Sequence, residues 1–375
     1  MNRTGRSAVM QGNEAAFEGA LLAGCRFFAG YPITPATEMA ELASVRMPKV
    51  GGAYIQMEDE LASINALFGA SWGGRKVMTA TSGPGFSLMQ EGIGYAALTQ
   101  TPCVIVDVMR GGPSAGQATL SSQQDVMQAR YGSHGDYEII VLAPSSCQEA
   151  LDLTIRAFNL SEQFLTPVII LSDEIVGHTR ERVIVPDNPV IVDRKRPPEG
   201  HVYKPFEPIA ENGGVPYRAA VGEGHRILVE VQLHDEMGIR KGHSPEDSAI
   251  CLNRICDKIK NNISQIEDYR LEYIDDAEQI VVAYGSTARS ALRAVREARE
   301  NGRKVGFIQL RTLFPFPDKL LADCARPGVT FYVPEMNMGK ICREVRAATG
   351  SKVVSLSKIG GEMPTPLEIL RGIQN

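Results

Sequence analysis

At 375 residues, with 43% hydrophobic and 22% charged residues and a net charge of −5, the chain has the ordinary make-up of a globular protein with two or three packed cores. No basic tract or interleaved aromatic pattern is present, which argues against nucleic acid, and no apolar run approaches the roughly 20 residues that cross a bilayer. The seven cysteines (25, 103, 147, 251, 256, 324 and 342) form no C-x-x-C pair, so no iron–sulfur cluster or structural zinc is expected on this chain.

The segment Met1-Asn2-Arg3-Thr4 has no apolar h-region, so no secretory leader is expected and a cytoplasmic location is. Apolar periodicity then predicts a helix over 14–23, a strand over 26–29, a helix over 37–44 and a strand over 53–57. A helix over 61–72, a strand over 76–80, a helix over 85–98 and a strand over 103–109 follow. Strands over 139–142 and 167–171 flank a helix over 148–160. Such repeated βα units predict a doubly wound parallel sheet over residues 1–185. Residues 186–275 hold Pro186, Pro189, Pro197, Pro198, Pro205, Pro208 and Pro216 with little periodicity, and read as an excursion and linker with limited regular structure. From 276 to 375, strands over 280–284, 305–310, 330–333 and 353–356 alternate with helices over 288–300, 340–348 and 366–371. This predicts a second, smaller α/β domain.

Four short segments fall just beyond predicted strands: Gly30-Tyr31-Pro32-Ile33-Thr34-Pro35, Glu58-Asp59-Glu60, Thr81-Ser82-Gly83-Pro84-Gly85 and Arg110-Gly111-Gly112-Pro113-Ser114. Ligands of open α/β sheets bind beyond the carboxyl ends of the strands, so a hydroxyl, a carboxylate, a Gly-rich turn and a guanidinium converge on one edge. With about 100° per residue and Met57 at the origin, Leu61, Ile64 and Phe68 cluster within about 40° of it, and Glu60 lies near −60°, inside the apolar stripe. Glu60 therefore needs a partner or a raised pKa, unless the run is simply an acidic helix N-terminus. The turn at Gly83 gives G-x-G, but Leu88 stands where a dinucleotide fingerprint has its third glycine. Asp107 lies at the spacing of a ribose-binding acid yet inside an apolar strand, so nicotinamide binding is disfavoured. A tight βα turn, or a backbone surface for a flat ring, fits the turn better. Arg110 suits a carboxylate ligand, or else is a solvated strand end. Thr34 is held extended between Pro32 and Pro35, or is a plain turn residue. No H-x-x-x-H or H-E-x-x-H spacing occurs, so a metalloenzyme is disfavoured, and His134 reads as an ordinary loop histidine.

Taken together, residues 30–35, 56–65, 79–89 and 110–119 resemble the α subunit of 2-oxoacid:ferredoxin oxidoreductases, in its pyrimidine-binding domain. Pro334-Glu335-Met336-Asn337 is similar to that family's transketolase C-terminal-like second domain. Segments 132–136 and 172–178 look most like the 2-oxoglutarate branch. The resemblance implies thiamine diphosphate, with Glu60 hydrogen-bonded to its aminopyrimidine ring and Pro32, Ile33, Ser82 and Gly83 around it. It implies that Thr34 and Arg110 address the 2-oxo acid. It places the diphosphate, Mg²⁺ and [4Fe-4S] groups on partners: a β subunit, with small γ or δ subunits in some relatives. Ferredoxin, coenzyme A and 2-oxoglutarate would be the reactants, with 2-oxoisovalerate or pyruvate as alternative substrates. A non-catalytic scaffolding subunit is the competing class.

Overall fold

The computed structural model describes residues 5–374; residues 1–4, read above for a leader, and Asn375 lie outside the described residues. In chain order the first strands are β1 (Gly5–Gln11), β2 (Cys25–Gly30), β3 (Ala53–Gln56), β4 (Lys76–Thr81), β5 (Cys103–Gly111), β6 (Gln117–Ser121), β7 (Ile140–Leu142), β8 (Pro167–Asp173) and β9 (Arg180–Pro186). They are followed by β10 (Tyr269–Glu272), β11 (Gln279–Ala283), β12 (Val305–Leu310), β13 (Thr312–Phe314), β14 (Thr330–Glu335) and β15 (Lys352–Ser357). The larger sheet runs β13-β7-β8-β5-β4-β2-β3, parallel from β7 to β3, with β6 paired antiparallel to the end of β5. Its central strands β4, β5 and β8 are buried along their whole length, which is why they read as near-continuous apolar runs. The smaller sheet runs β10-β12-β11-β14-β15, parallel except for the antiparallel edge strand β10. The expectations of a doubly wound parallel sheet and of a second, smaller α/β domain both hold.

The sheet divides two apolar layers. On one face, Phe17, Phe28, Leu151 and Phe158 pack helices Gly12–Leu22 and Cys147–Phe164 against Val104, Val106 and Ile170. On the other, Ile64, Phe86 and Ile105 continue without a break into Val282, Ile308, Phe331 and Val333 of the second domain. Moreover β13, which follows β12, leaves its own domain and pairs antiparallel with β7 of the larger sheet. The boundary between the domains is therefore a packed core rather than a gap.

Three sequence expectations are corrected here. The helix expected over 85–98 is two, Gly83–Leu88 and Gln90–Leu98, meeting at Met89. The excursion 186–275 contains a regular helix, Pro245–Lys260, capped by the Ser244 side chain, and ends in β10, which belongs to the second domain's sheet. An antiparallel ribbon of β1 and β9 was not anticipated.

The excursion is a strap across the amino ends of the larger sheet. Lys76, at the start of β4, donates to the Val192 carbonyl at 2.7 Å. Arg194 forms a buried pair with Glu162 at 2.5 Å and donates to the Ser71 carbonyl at 2.8 Å. The Arg218 guanidinium lies 4.0 Å from the Trp72 ring centroid and donates to the Gln100 carbonyl, just before β5. Lys258 donates to Gln100 Oε1 at 2.9 Å and to the Leu165 carbonyl, just before β8.

Candidate active site

The crevice lies where the topology reverses. From β2 the chain moves outward to β3, then returns to β4 on β2's other side, so the loops after β2 and β4 diverge. Into this opening the end of β3 feeds the helix Glu60–Trp72. Asp59 caps that helix, its Oδ1 accepting from the Ala62 N–H at 2.7 Å, while Glu58 is exposed and Glu60 is only 5% exposed. Both readings of the acidic run thus hold at once, on different residues. The buried stripe comprises Glu60, Ser63, Ile64, Leu67, Phe68, Ser71 and Trp72. Leu61, expected inside, is 44% exposed: it lies on the same face as the buried Phe68 and Trp72, but at the helix's amino end, where it lines a cavity.

Opposite Glu60 stands the turn after β4. A methyl group on Gly85 would lie 2.2 Å from both Glu60 Oε1 and Thr81 Oγ1, so only glycine admits the carboxylate here. Burial, with the Asp59 charge as a smaller cause, raises the Glu60 pKa; its own backbone N–H and the Thr81 hydroxyl act against that rise. The Thr79 and Ser82 hydroxyls are buried without a hydrogen-bond partner among the described residues. Gly83 takes φ +39° and donates its N–H to Asp107 Oδ1 at 3.2 Å. Asp107, considered above as a ribose-binding acid, is thus a fully buried turn anchor. Pro32 is exposed and Ile33 half-buried on the facing loop.

Arg110 ends β5, 8% exposed. Its Nη1 donates to the Thr34 carbonyl at 2.6 Å and its Nη2 to the Ala115 carbonyl at 3.1 Å, while Nε has no partner. Thr34 and Arg110 therefore meet as expected, but through the threonine backbone; the Thr34 residue itself is exposed. His134 is a surface residue 3.5 Å from Glu91 Oε2. It stands at the rim of a cavity of about 1110 Å³ on the far side of helix Glu60–Trp72, lined by Phe68, Trp72 and Tyr95.

Sequence reasoning singled out segments 172–178 and 334–337 but missed that they, with Gln123, join the two domains at this edge. Asp173, at the end of β8, accepts from the Ser286 N–H and from Gln123 Nε2. Gln123 Oε1 accepts from the Met336 N–H at 3.0 Å, and Asn337 Nδ2 donates to the Gln123 carbonyl at 2.7 Å. Glu335 accepts from the Ile341 and Cys342 N–H groups, so it caps the second domain's helix Lys340–Thr349. Its neighbour Tyr284 donates to it at 3.1 Å. Asp125 was also missed; burial, and after it the Asp125 charge, pushes the Asp107 carboxyl well above the usual carboxylate range. Loop residues such as Gln123 and Asp125 carry no spacing signal, whereas an acid in an apolar strand, as at Asp107, is itself one.

A buried carboxylate facing unpartnered hydroxyls across a glycine turn fits an aminopyrimidine ring, which offers both donors and acceptors on a flat face. Among the described residues no cluster of three His, Cys, Asp or Glu side chains is placed to hold a metal. These features make a polar crevice at the carboxyl edge of an α/β sheet, with a second α/β domain fastened to that edge. The family profile described as "Pyruvate flavodoxin/ferredoxin oxidoreductase, thiamine diP-bdg" matches residues 18–232, and that of "Pyruvate:ferredoxin oxidoreductase core domain II" matches 277–369. The chain is 52% identical to the 2-oxoglutarate synthase subunit KorA of Methanocaldococcus jannaschii, over 97% of this chain and 98% of that one. It is 37% identical to the ketoisovalerate oxidoreductase subunit VorB of Methanothermobacter marburgensis, over 98% and 97%. Among solved structures, 2-oxoglutarate:ferredoxin oxidoreductase from Magnetococcus marinus, with 2-oxoglutarate, coenzyme A and succinyl-CoA bound, superposes with a TM-score of 0.94 at 33% identity. That match covers 98% of this chain and 65% of the other. The chain belongs to the 2-oxoacid:ferredoxin oxidoreductase family.

Proposed function

We infer that the chain is the α subunit of a 2-oxoglutarate:ferredoxin oxidoreductase, turning 2-oxoglutarate, coenzyme A and oxidised ferredoxin into succinyl-CoA, CO₂ and reduced ferredoxin. The observation that carries this is the inward Glu60 carboxylate facing Thr81 across Gly85 at the topological switch point. Thiamine diphosphate, when bound, supplies the carbanion stabilisation that decarboxylation of a 2-oxo acid requires. Glu60 holds a proton at the aminopyrimidine ring nitrogen, and its raised pKa keeps that proton available at higher pH than an exposed glutamate would. Ser82 and Gly83 line the ring pocket, with Pro32 and Ile33 on the opposite loop. Arg110, its Nε free, pairs with the substrate carboxylate, and the exposed Thr34 orients the 2-oxo group.

Half of the site is supplied elsewhere. A β subunit carries the diphosphate, Mg²⁺ and a [4Fe-4S] cluster, small γ or δ subunits complete some assemblies, and the complex works in the cytoplasm. The preference for 2-oxoglutarate over 2-oxoisovalerate is supported by the greater identity to the 2-oxoglutarate synthase subunit. Assembled with its β subunit, the enzyme should reduce a viologen dye fastest with 2-oxoglutarate; faster turnover of 2-oxoisovalerate or pyruvate rejects that substrate. Glu60→Ala should leave the assembly intact and lower turnover by about 10²–10⁴-fold. Unchanged turnover would make the chain a scaffold.

A further inference from the structure

The loop that carries Thr34 is fastened from behind as well as from the crevice. On the crevice side, the Thr34 carbonyl accepts from Arg110 Nη1 at 2.6 Å. One residue on, the Pro35 carbonyl accepts from Asn13 Nδ2 at 2.8 Å, and the same nitrogen donates to Glu38 Oε2 at 2.9 Å. Asn13 lies in the first turn of helix Gly12–Leu22 and is 1% exposed, while Glu38 opens helix Thr37–Arg46, which follows the loop. Both groups that the amide meets are acceptors, so only its NH₂ end can face them. Its Oδ1 is turned toward Gly177, where a Cβ would come within 2.8 Å of it, and has no partner among the described residues. A buried oxygen left unpaired is a cost that an apolar side chain would avoid, so what asparagine contributes here is its two donors. Glu38 is held in turn by His178, whose Nε2 lies 3.2 Å from Glu38 Oε1 and whose Nδ1 lies 2.9 Å from Glu174 Oε1. His178 ends the short helix Glu174–His178 that follows β8. In the same helix the Ile175 N–H donates to Ser121 Oγ at 3.4 Å, and Ser121 is the residue paired with Arg110 across β5 and β6. The segment after β8 therefore backs both the Thr34 loop and the Arg110 end of β5.

We propose that Asn13 is a positioning residue for the 2-oxo acid: with Glu38 and His178 behind it, its amide sets where the Thr34 loop stands against Arg110. This rests on the reading of Thr34 and Arg110 as the substrate's partners. Two consecutive carbonyls of the loop are each fixed by a side chain from a different element, so Thr34 cannot shift relative to Arg110 without breaking one of these bonds. Misplacement of this kind weakens substrate binding before it changes the chemistry. Glu60 and the Gly83 turn stand on β3 and β4, and none of these bonds reaches them.

Two variants of the assembled αβ enzyme separate the donors from mere packing. Asn13→Ala removes the amide, whereas Asn13→Asp keeps its shape but sets an acceptor against the Pro35 carbonyl and Glu38. KM for 2-oxoglutarate should rise about tenfold in Asn13→Ala and further in Asn13→Asp, with kcat and the Kd for thiamine diphosphate within about threefold of wild type. A space-filling role predicts the opposite order, with the aspartate variant near wild type, and that order overturns the proposal. Equal loss of cofactor and substrate affinity overturns it too, since the domain as a whole would then have loosened. His178→Ala leaves the surroundings of Asn13 filled and so reads the relay even where the Asn13 variants fail to assemble. It should raise the same KM by about threefold or more, and an unchanged KM overturns the proposal. Arg110→Lys, measured alongside, keeps the two readings apart. A KM unchanged there fails the substrate reading and this proposal together, whereas a raised KM there with an unchanged KM in the Asn13 and His178 variants fails this proposal alone.

Discussion

Glu60 illustrates how much chemistry a single backbone position imposes. Its carboxylate is inward because it falls on the buried stripe of its helix, and it fits there because Gly85 has no side chain. Gly85→Ala would place a carbon 2.2 Å from Glu60 Oε1 and Thr81 Oγ1, a distance that forces one of them aside. Cofactor titration of the assembled enzyme should then show thiamine diphosphate affinity reduced by about tenfold or more, since a lost hydrogen bond to a charged group costs about 1.5–3 kcal/mol and each 1.4 kcal/mol is about tenfold. Retained affinity would remove Glu60 from the ring pocket. Arg110→Lys tests a different feature: a lysine cannot span the Thr34 and Ala115 carbonyls while still presenting a free donor. KM for the 2-oxo acid should rise, with kcat changed less. The inward turn of Glu60 was visible in the helical spacing of its neighbours; the exposure of Leu61 was not, because periodicity assigns a face to a residue but does not say whether that face is covered at the helix's end.

Among the elements, the strap departs most from what its composition suggests. Prolines and glycines concealed that residues 186–275 hold down the amino ends of the strands through buried charges. Yet Ser244-Pro245-Glu246-Asp247 is a helix-start signature, with a capping serine, proline in the first turn and acids behind it, and the helix Pro245–Lys260 follows it. The Arg194–Glu162 pair, with side chains 5% and 4% exposed, fastens the strap to helix Cys147–Phe164. Glu162→Gln leaves Arg194 buried without its counter-charge and should cost about 3–5 kcal/mol in urea unfolding. Loss of the exposed Arg293–Glu297 pair should cost under about 1 kcal/mol. Equal effects would mean that the strap is held by something other than this pair.

Across the whole molecule, the two domains meet at the carboxyl ends of their strands and share one apolar layer. Polar groups seal the meeting point, and Asp173 is the most pH-sensitive of them. Burial pushes its carboxyl to about 7, against the opposing hydrogen bonds from Ser286 and Gln123. The folded state thus favours the protonated form. The stability this contributes is complete below the ordinary aspartate value and is lost as pH rises from there through about 7. Asp173→Asn should flatten unfolding free energy across that window by roughly 4 kcal/mol relative to wild type. Unfolding measured below and above the window checks this, and an unaltered slope would place the titration elsewhere. Asp107 and Glu335 are also raised by burial, so both proteins keep a residual slope of the same sign.

Alternating apolar runs, strand-end glycines and the four loop segments were enough to read two α/β units, the edge where those segments gather, and Glu60 as the inward acid of its run. Local spacing specifies these, because a helix or strand presents its faces wherever it is placed. Crossings between distant segments were invisible: β13 pairing with β7, the strap beneath the sheet, and the Gln123–Asp173–Asn337 junction. Each joins residues far apart in the chain, so no periodicity records them. Only when burial removes water do such polar groups have to find one another.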